Sequence, residues 1–110
     1  MSQYTAKCTV VNGSSEAISG SLVYTCDQIN TPISVQKLGS YACQGPVDLT
    51  VLSHHSDNWS WTPTNGVTTK LQKNIDNKKV PDVGVIVVIT NEEIVVVTSN
   101  NGVHSKKLAS

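Results

Sequence analysis

The residues of this chain best suited to bind a ligand are concentrated in one stretch, residues 54–61, with the sequence HHSDNWSW. Both tryptophans, two of the three histidines and an adjacent Asp-Asn pair fall within it. A sugar site needs a flat aromatic face that stacks on ring C–H groups, and short polar side chains that bond hydroxyls. The stretch therefore predicts a carbohydrate or cell-surface binding site made of His55, Asp57, Asn58 and Trp59, with Trp59 as the stacking platform.

A structural role for the same tryptophans is the competing interpretation. Tryptophan is a highly buried residue on average, and in a protein without phenylalanine an indole is expected to fill the space between two sheets. The adjacent histidines, His54 and His55, do not predict a metal site. Neighbouring side chains on a strand point to opposite faces, whereas zinc needs three or four converging ligands.

No sequence motif for catalysis accompanies this stretch. The chain has no G-x-S-x-G, no H-E-x-x-H and no P-loop, and its acidic residues are scattered. All eight basic residues are lysines and the formal net charge is zero, which argues against nucleic acid as a partner. No apolar run approaches the ~20 residues of a membrane span. We therefore predict a binding protein, not an enzyme, with no cofactor and no metal.

The elements that must position any site are organised around residues 83–99, VGVIVVITNEEIVVVTS. Two runs of β-branched residues flank a polar turn, which is typical of a β-hairpin. Both faces of this hairpin are apolar, although a hairpin with one face in water should alternate apolar and polar residues. We predict that it lies at the centre of the fold and that a second subunit covers one face. The predicted homodimer interface is Ile86, Val88, Val95 and Val97.

The rest of the chain predicts short strands separated by turns, eight or nine in all, and no convincing helix. This pattern predicts one all-β domain over residues 1–110, an antiparallel β-sandwich that is immunoglobulin-like or related, with a small β-barrel as the alternative. Residues 3–11 and 18–27 are expected to form a hairpin with each other. Residues 67–75 fit a helix or a strand, and we favour a strand that ends near Gln72.

The three cysteines, Cys8, Cys26 and Cys43, leave several states open. All can be reduced, one pair can form within the chain, or one can pair between chains. Cys26 with Cys43 is the better internal pair, and buried free thiols are the simpler expectation. The start of the chain lacks the pattern of a signal peptide, so a cytoplasmic protein, or one exported without a cleaved signal, is expected if Met1 is native. A secreted protein is expected if Met1 replaced a signal peptide.

In length and in its Thr, Ser and Val content, the chain resembles small fungal β-sandwich proteins: lectins, immunomodulatory proteins and aegerolysin-type cytolysins. The resemblance covers length and composition alone. It implies a non-enzymatic function, either lectin-like binding or an immunomodulatory or membrane-active role exercised through a homo-oligomeric surface.

Overall fold

Strands are the only regular elements in the computed structural model, which describes residues 3–52, 57–73, 75, 83–99 and 102–109. The runs of Val, Ile and Thr along the chain favour this conformation because branched side chains suit a pleated surface. In chain order the strands are β1 (Gln3–Asn12), β2 (Ile18–Cys26), β3 (Ile29–Leu38), β4 (Cys43–Leu52), β5 (Asp57–Pro63), β6 (Thr69–Gln72), β7 (Val83–Ile89), β8 (Glu93–Thr98) and β9 (Gly102–Lys107).

These strands form two sheets that face each other. The larger sheet has the order β4-β1-β7-β8-β9, and the smaller has the order β3-β2-β5-β6. Neither sheet closes on itself within the described residues, so the sandwich prediction is confirmed and the barrel alternative is wrong. All pairings between described strands are antiparallel except that of β1 with β7, which is parallel.

The predicted hairpin between the first two strands does not form. β1 pairs with β4 and β7, whereas β2 pairs with β3 and β5, so the chain crosses from one sheet to the other after Asn12. Period-2 alternation indicates that each strand has one buried face, but it does not indicate which sheet the strand joins. The buried Asn12 side chain stabilises the crossing, because its Nδ2 donates hydrogen bonds to the carbonyl oxygens of Glu16 and Leu38, each at 2.8 Å.

The core lies between the inner faces of the two sheets and is mainly aliphatic. The larger sheet contributes the side chains Ala6, Cys8, Val10, Leu49, Val51, Val85, Val87, Ile89, Ile94 and Val96. The smaller sheet contributes Leu22, Tyr24, Cys26, Ile33, Val35, Trp59, Trp61 and Leu71. Among the described side chains, the buried aromatic rings are those of Tyr24, Trp59 and Trp61, and all three belong to the smaller sheet.

One further prediction is confirmed at the edge of the smaller sheet. Residues 69–72 are a strand and not a helix, and the strand ends at Gln72 as expected. β9 is an edge strand whose six residues are all exposed, and it carries Lys106 and Lys107, which discourage pairing with another edge. The described part of the chain contains no helix long and apolar enough to cross a lipid bilayer.

Candidate functional site

The predicted stacking platform, Trp59, is a core residue. Its side chain is 0% exposed, and its ring lies 4.7 Å from that of Tyr24, tilted by 51°. The indole Nε1–H donates a hydrogen bond to the carbonyl oxygen of Lys73 at 3.3 Å. No face of the indole is left for a sugar ring, so the prediction of a stacking role for Trp59 is wrong. The alternative interpretation, in which the indoles fill the core, holds for both Trp59 and Trp61.

The other residues of the predicted sugar site do not converge either. Asp57 and Asn58 are neighbours on β5, so their side chains point to opposite faces of the sheet: Asp57 is buried and Asn58 is exposed. The Asp57 carboxylate accepts a hydrogen bond from the backbone N–H of Ile75 at 2.5 Å, which ties the chain after β6 to β5. His55 lies outside the described residues.

Asp57 belongs to a buried polar cluster with Tyr24 and Cys26 on the neighbouring strand. Cys26 lies directly opposite Asp57 in the pairing of β2 with β5. Burial raises the pKa of the Tyr24 hydroxyl strongly, and the nearby Asp57 carboxylate raises it further. Burial also raises the pKa of the Cys26 thiol, whose sulfur accepts a hydrogen bond from the Leu52 N–H at 3.4 Å. Both groups therefore stay protonated at neutral pH and serve the core, since a thiol acts as a nucleophile only as thiolate.

The three cysteines are free, so the Cys26–Cys43 disulfide considered from the sequence is absent. Cys8 and Cys26 are buried, as expected for thiols that act as small apolar residues, whereas Cys43 is exposed on β4. Within the described residues, no three side chains of His, Cys, Asp or Glu lie close enough together to hold a metal ion.

The hairpin of β7 and β8 occupies the position predicted for it, because β7 is the middle strand of the larger sheet. Its described inner side chains are buried, and its outer ones are not fully covered: Ile86 is 45% exposed, and Val88, Val95 and Val97 are partly exposed. Within a single chain only the inner face of the hairpin is covered. The expectation that both of its faces are covered is therefore met for the inner face alone. The four residues of the predicted interface do lie together on the outer face.

Neighbouring strands extend this apolar surface beyond the four predicted residues. Across the sheet, Thr9, Ile86, Val97 and Val103 form one row. Beside it, Cys43, Val11, Val88 and Val95 form a second row, followed by Ser105 on β9. We call the two rows together the outer face. Val103, at 64% exposure, is more exposed than Ile86.

Charged residues border the outer face at both ends. At one end, Lys7 and Asp48 form an ion pair between β1 and β4. At the other end, Glu93 on β8 lies opposite Lys107 on β9. Among the described residues, each end therefore carries one positive and one negative side chain, and the rows between them carry no charge. The arrangement is an uncharged apolar surface with a balanced polar border, as in many protein interfaces.

Sequence reasoning missed Val11, Cys43 and Val103 as parts of this surface. Each is an apolar or thiol side chain on a strand of the larger sheet, and local alternation shows only that it faces away from its own buried neighbours. The parallel pairing of Val11 with Val88, and the antiparallel pairing of Val103 with Val97, bring them onto the outer face. The alternation along β1 indicated that Thr9 and Val11 share a face, but it did not indicate which strand lies beside them.

Comparison with models of known protein families found no match, and comparison with curated proteins found none either.

Proposed function

We propose that this protein is a non-enzymatic interaction protein whose outer face binds a second copy of the chain. The observation that carries the proposal is the joined pair of rows on β4, β1, β7, β8 and β9, in which Ile86 and Val103 are strongly exposed. Burying these side chains against an identical apolar surface removes them from water, which contributes about 25 cal/mol per Å² of apolar area.

The charges around the outer face favour a second copy as the occupant. Among the described residues, each end carries one lysine and one carboxylate, so neither end has a net charge that would repel a second copy. The whole chain has no net charge, so long-range repulsion between copies is also absent. A strongly basic or acidic partner would find no complementary field on this surface.

The size of the outer face sets the expected strength of the association. Five strands spaced about 4.8 Å apart give a footprint about 20 Å long across the sheet, and two rows that lie two residues apart give it a width of roughly 10 Å along the strands. This is smaller than the ~800 Å² per partner that a standard interface buries. We therefore expect a reversible dimer whose population depends on concentration, and not a permanent one.

Sedimentation velocity over a range of concentrations tests the proposal with two matched variants. Val103→Glu places a charge on the outer face. Val67→Glu is the control, because it places the same charge on a valine that is 53% exposed and lies between β5 and β6, away from the outer face. We expect the wild type to shift towards a dimer as its concentration rises. Val103→Glu should weaken that association by about tenfold or more, equivalent to ~1.4 kcal/mol, while Val67→Glu should leave it unchanged.

Two results would contradict the proposal: a wild type that stays monomeric at millimolar concentration, or equal weakening by both variants. Ile86→Lys provides a second variant at the centre of the face, and circular dichroism establishes that each variant is folded.

Binding of a glycan or a cell surface stays a prediction from the sequence. Asn58 is the exposed member of the predicted sugar site within the described residues, and burial of Trp59 removes the stacking platform on which that site depended. We therefore do not propose residues 54–61 as the binding surface.

A further inference from the structure

A groove at one end of the sandwich lies apart from the outer face. Its volume is about 430 Å³, within the range of ~300–1,000 Å³ typical of small-molecule sites. It is lined by the segment before and at the start of β2, which includes Glu16, Ala17 and Ile18, by Pro63 at the end of β5, by the turn after β7, and by Leu108. Both sheets contribute to it, and no residue of the outer face does.

The wall before β2 is held rigid by the buried Asn12 side chain. Its Oδ1 accepts hydrogen bonds from the backbone N–H of Ser14 at 2.8 Å and from the Ser14 hydroxyl at 2.6 Å. The Ser14 hydroxyl is also 2.8 Å from the Glu16 carbonyl oxygen. A turn stabilised in this way does not have to be ordered when a ligand binds, so the entropic cost of binding is reduced.

Hydrogen bonds also join the separate walls of the groove. The Asn91 side-chain oxygen accepts a hydrogen bond from the Ser15 N–H at 3.3 Å, which links the turn after β7 to the segment before β2. The Thr64 N–H donates to the carbonyl oxygen of Ser19 at 3.0 Å, which links the end of β5 to β2. The concavity is therefore formed by bonded segments of the chain.

The lining of the groove combines apolar surface with neutral polar groups. Ile18, Pro63 and Leu108 offer aliphatic contacts, and hydroxyl groups are present on Ser19 and Thr64. The Ser19 oxygen accepts the Lys37 N–H at 2.8 Å, so its own hydrogen remains to be donated. Glu16 supplies the one acidic side chain, and no lysine or histidine is among the described residues that line the groove. An anionic ligand would therefore meet a carboxylate and no compensating cation.

We propose that this groove binds a small uncharged molecule with an apolar body and a hydroxyl group. The apolar body lies against Ile18, Pro63 and Leu108, and the hydroxyl group bonds with Ser19 or Thr64. This site is independent of the proposed dimer, because the two surfaces share no residue.

Three probes of similar size test the chemistry of the site: benzyl alcohol, benzoate and methyl glucoside. They are titrated while backbone amide chemical shifts and tryptophan fluorescence are recorded, since Trp61 lines the groove. For benzyl alcohol we expect saturable shifts confined to residues 14–19, 61–64 and 89–91, with a Kd of about 1 mM as befits so small a ligand. Benzoate should bind at least ~10-fold more weakly because of Glu16. Methyl glucoside should also bind more weakly because it lacks the apolar body.

Absence of saturable shifts with benzyl alcohol, shifts spread over other surfaces, or equal binding of benzoate would overturn the proposal. Equal or tighter binding of methyl glucoside would contradict the apolar body and point to a polyol site.

Two substitutions at one position, one that fills the groove and one that leaves it open, test the location of the site. Ala17 is exposed and lines the groove, so Ala17→Phe occupies it without altering the core, whereas Ala17→Ser leaves the space open. We expect Ala17→Phe to weaken benzyl alcohol binding by about 10-fold or more and Ala17→Ser to retain it. Thr64→Phe fills the groove from the opposite wall and replaces Ala17→Phe if that variant does not fold. Retained binding in a folded, filled variant would overturn the site, while the dimer measured by sedimentation is expected to be the same in all three variants.

Discussion

The carboxylate of Asp57 accepts a hydrogen bond from the backbone N–H of Ile75 at 2.5 Å, across 18 residues of sequence and in the buried interior. Asp57 is therefore a structural residue, because it satisfies a buried donor of the segment that follows β6. Truncation to alanine would leave that donor without its acceptor, a loss that typically costs ~1–3 kcal/mol.

We expect Asp57→Ala to lower the free energy of unfolding by about 2 kcal/mol, as measured by urea denaturation. Asp48→Ala is the control, since that carboxylate is exposed and its ion pair with Lys7 should contribute less than ~1 kcal/mol. Asp57→Asn keeps an oxygen acceptor in place and should fall between the two. Equal effects of Asp57→Ala and Asp48→Ala would contradict a structural role for Asp57.

Gly20 lies directly opposite Pro63, where β2 pairs with the end of β5. A Cβ atom on Gly20 would lie 2.5 Å from the carbonyl oxygen of Thr62 and 2.8 Å from Cα of Pro63, and both are backbone atoms that cannot rotate away. We expect Gly20→Ala to destabilise the protein by about 2 kcal/mol, within the usual range for overpacking. Thermal or urea unfolding measures the effect.

Gly84→Ala is the matched control on the other sheet. Nothing lies within 4 Å of a Cβ atom built on Gly84, so this variant should be neutral or slightly more stable. A Gly20→Ala variant as stable as Gly84→Ala would show that the two strands can separate at little cost.

The cysteines differ in exposure, and their reactivity should differ accordingly. Cys43 is exposed, whereas Cys8 and Cys26 are buried. At low protein concentration, where the proposed dimer dissociates, we expect one thiol per native chain to react rapidly with a disulfide reagent at pH 8, and the other two to react only through unfolding. The rapid reaction should disappear in Cys43→Ser. Rapid reaction of two or three thiols in the native wild type would contradict the burial of Cys8 and Cys26.

Burial of Cys8 should also make the protein less stable in alkali. Burial raises the pKa of the Cys8 thiol from 9.0 to about 12, so between these values the unfolded chain loses a proton that the folded chain keeps. Its contribution to stability is complete below pH 9 and falls by about 1.4 kcal/mol per pH unit as the pH rises towards 12. Tyr24, whose pKa is also raised, adds to the loss above pH 10. Urea unfolding of wild type and Cys8→Ala between pH 8 and 11 measures the difference, and parallel curves would contradict this account.

The sequence by itself was sufficient to predict the strands and to predict which side chains of the central hairpin share a face. Val85 and Val87 were expected on one face of β7 and Ile86 on the other, and the first two are buried while Ile86 is exposed. These features are local, because side chains alternate along a strand with a period of two whatever the strand pairs with. For the same reason the sequence predicts that Ile86 and Val88 share one face of β7, and that Val95 and Val97 share one face of β8.

Tertiary structure alone decided which strands are neighbours. β1 lies beside β7, more than 70 residues away in sequence, instead of β2, which follows it directly. The register of β1 with β7 brings Val11 onto the outer face, and the register of β8 with β9 brings Val103 onto it. Tertiary structure also decided the role of Trp59. The same indole on a solvent-facing side of a sheet could stack on a ligand, but it points between the two sheets and is a core residue. Strand pairing is non-local, and a shift of one residue moves every side chain to the opposite face, so a pattern read along one strand cannot decide it.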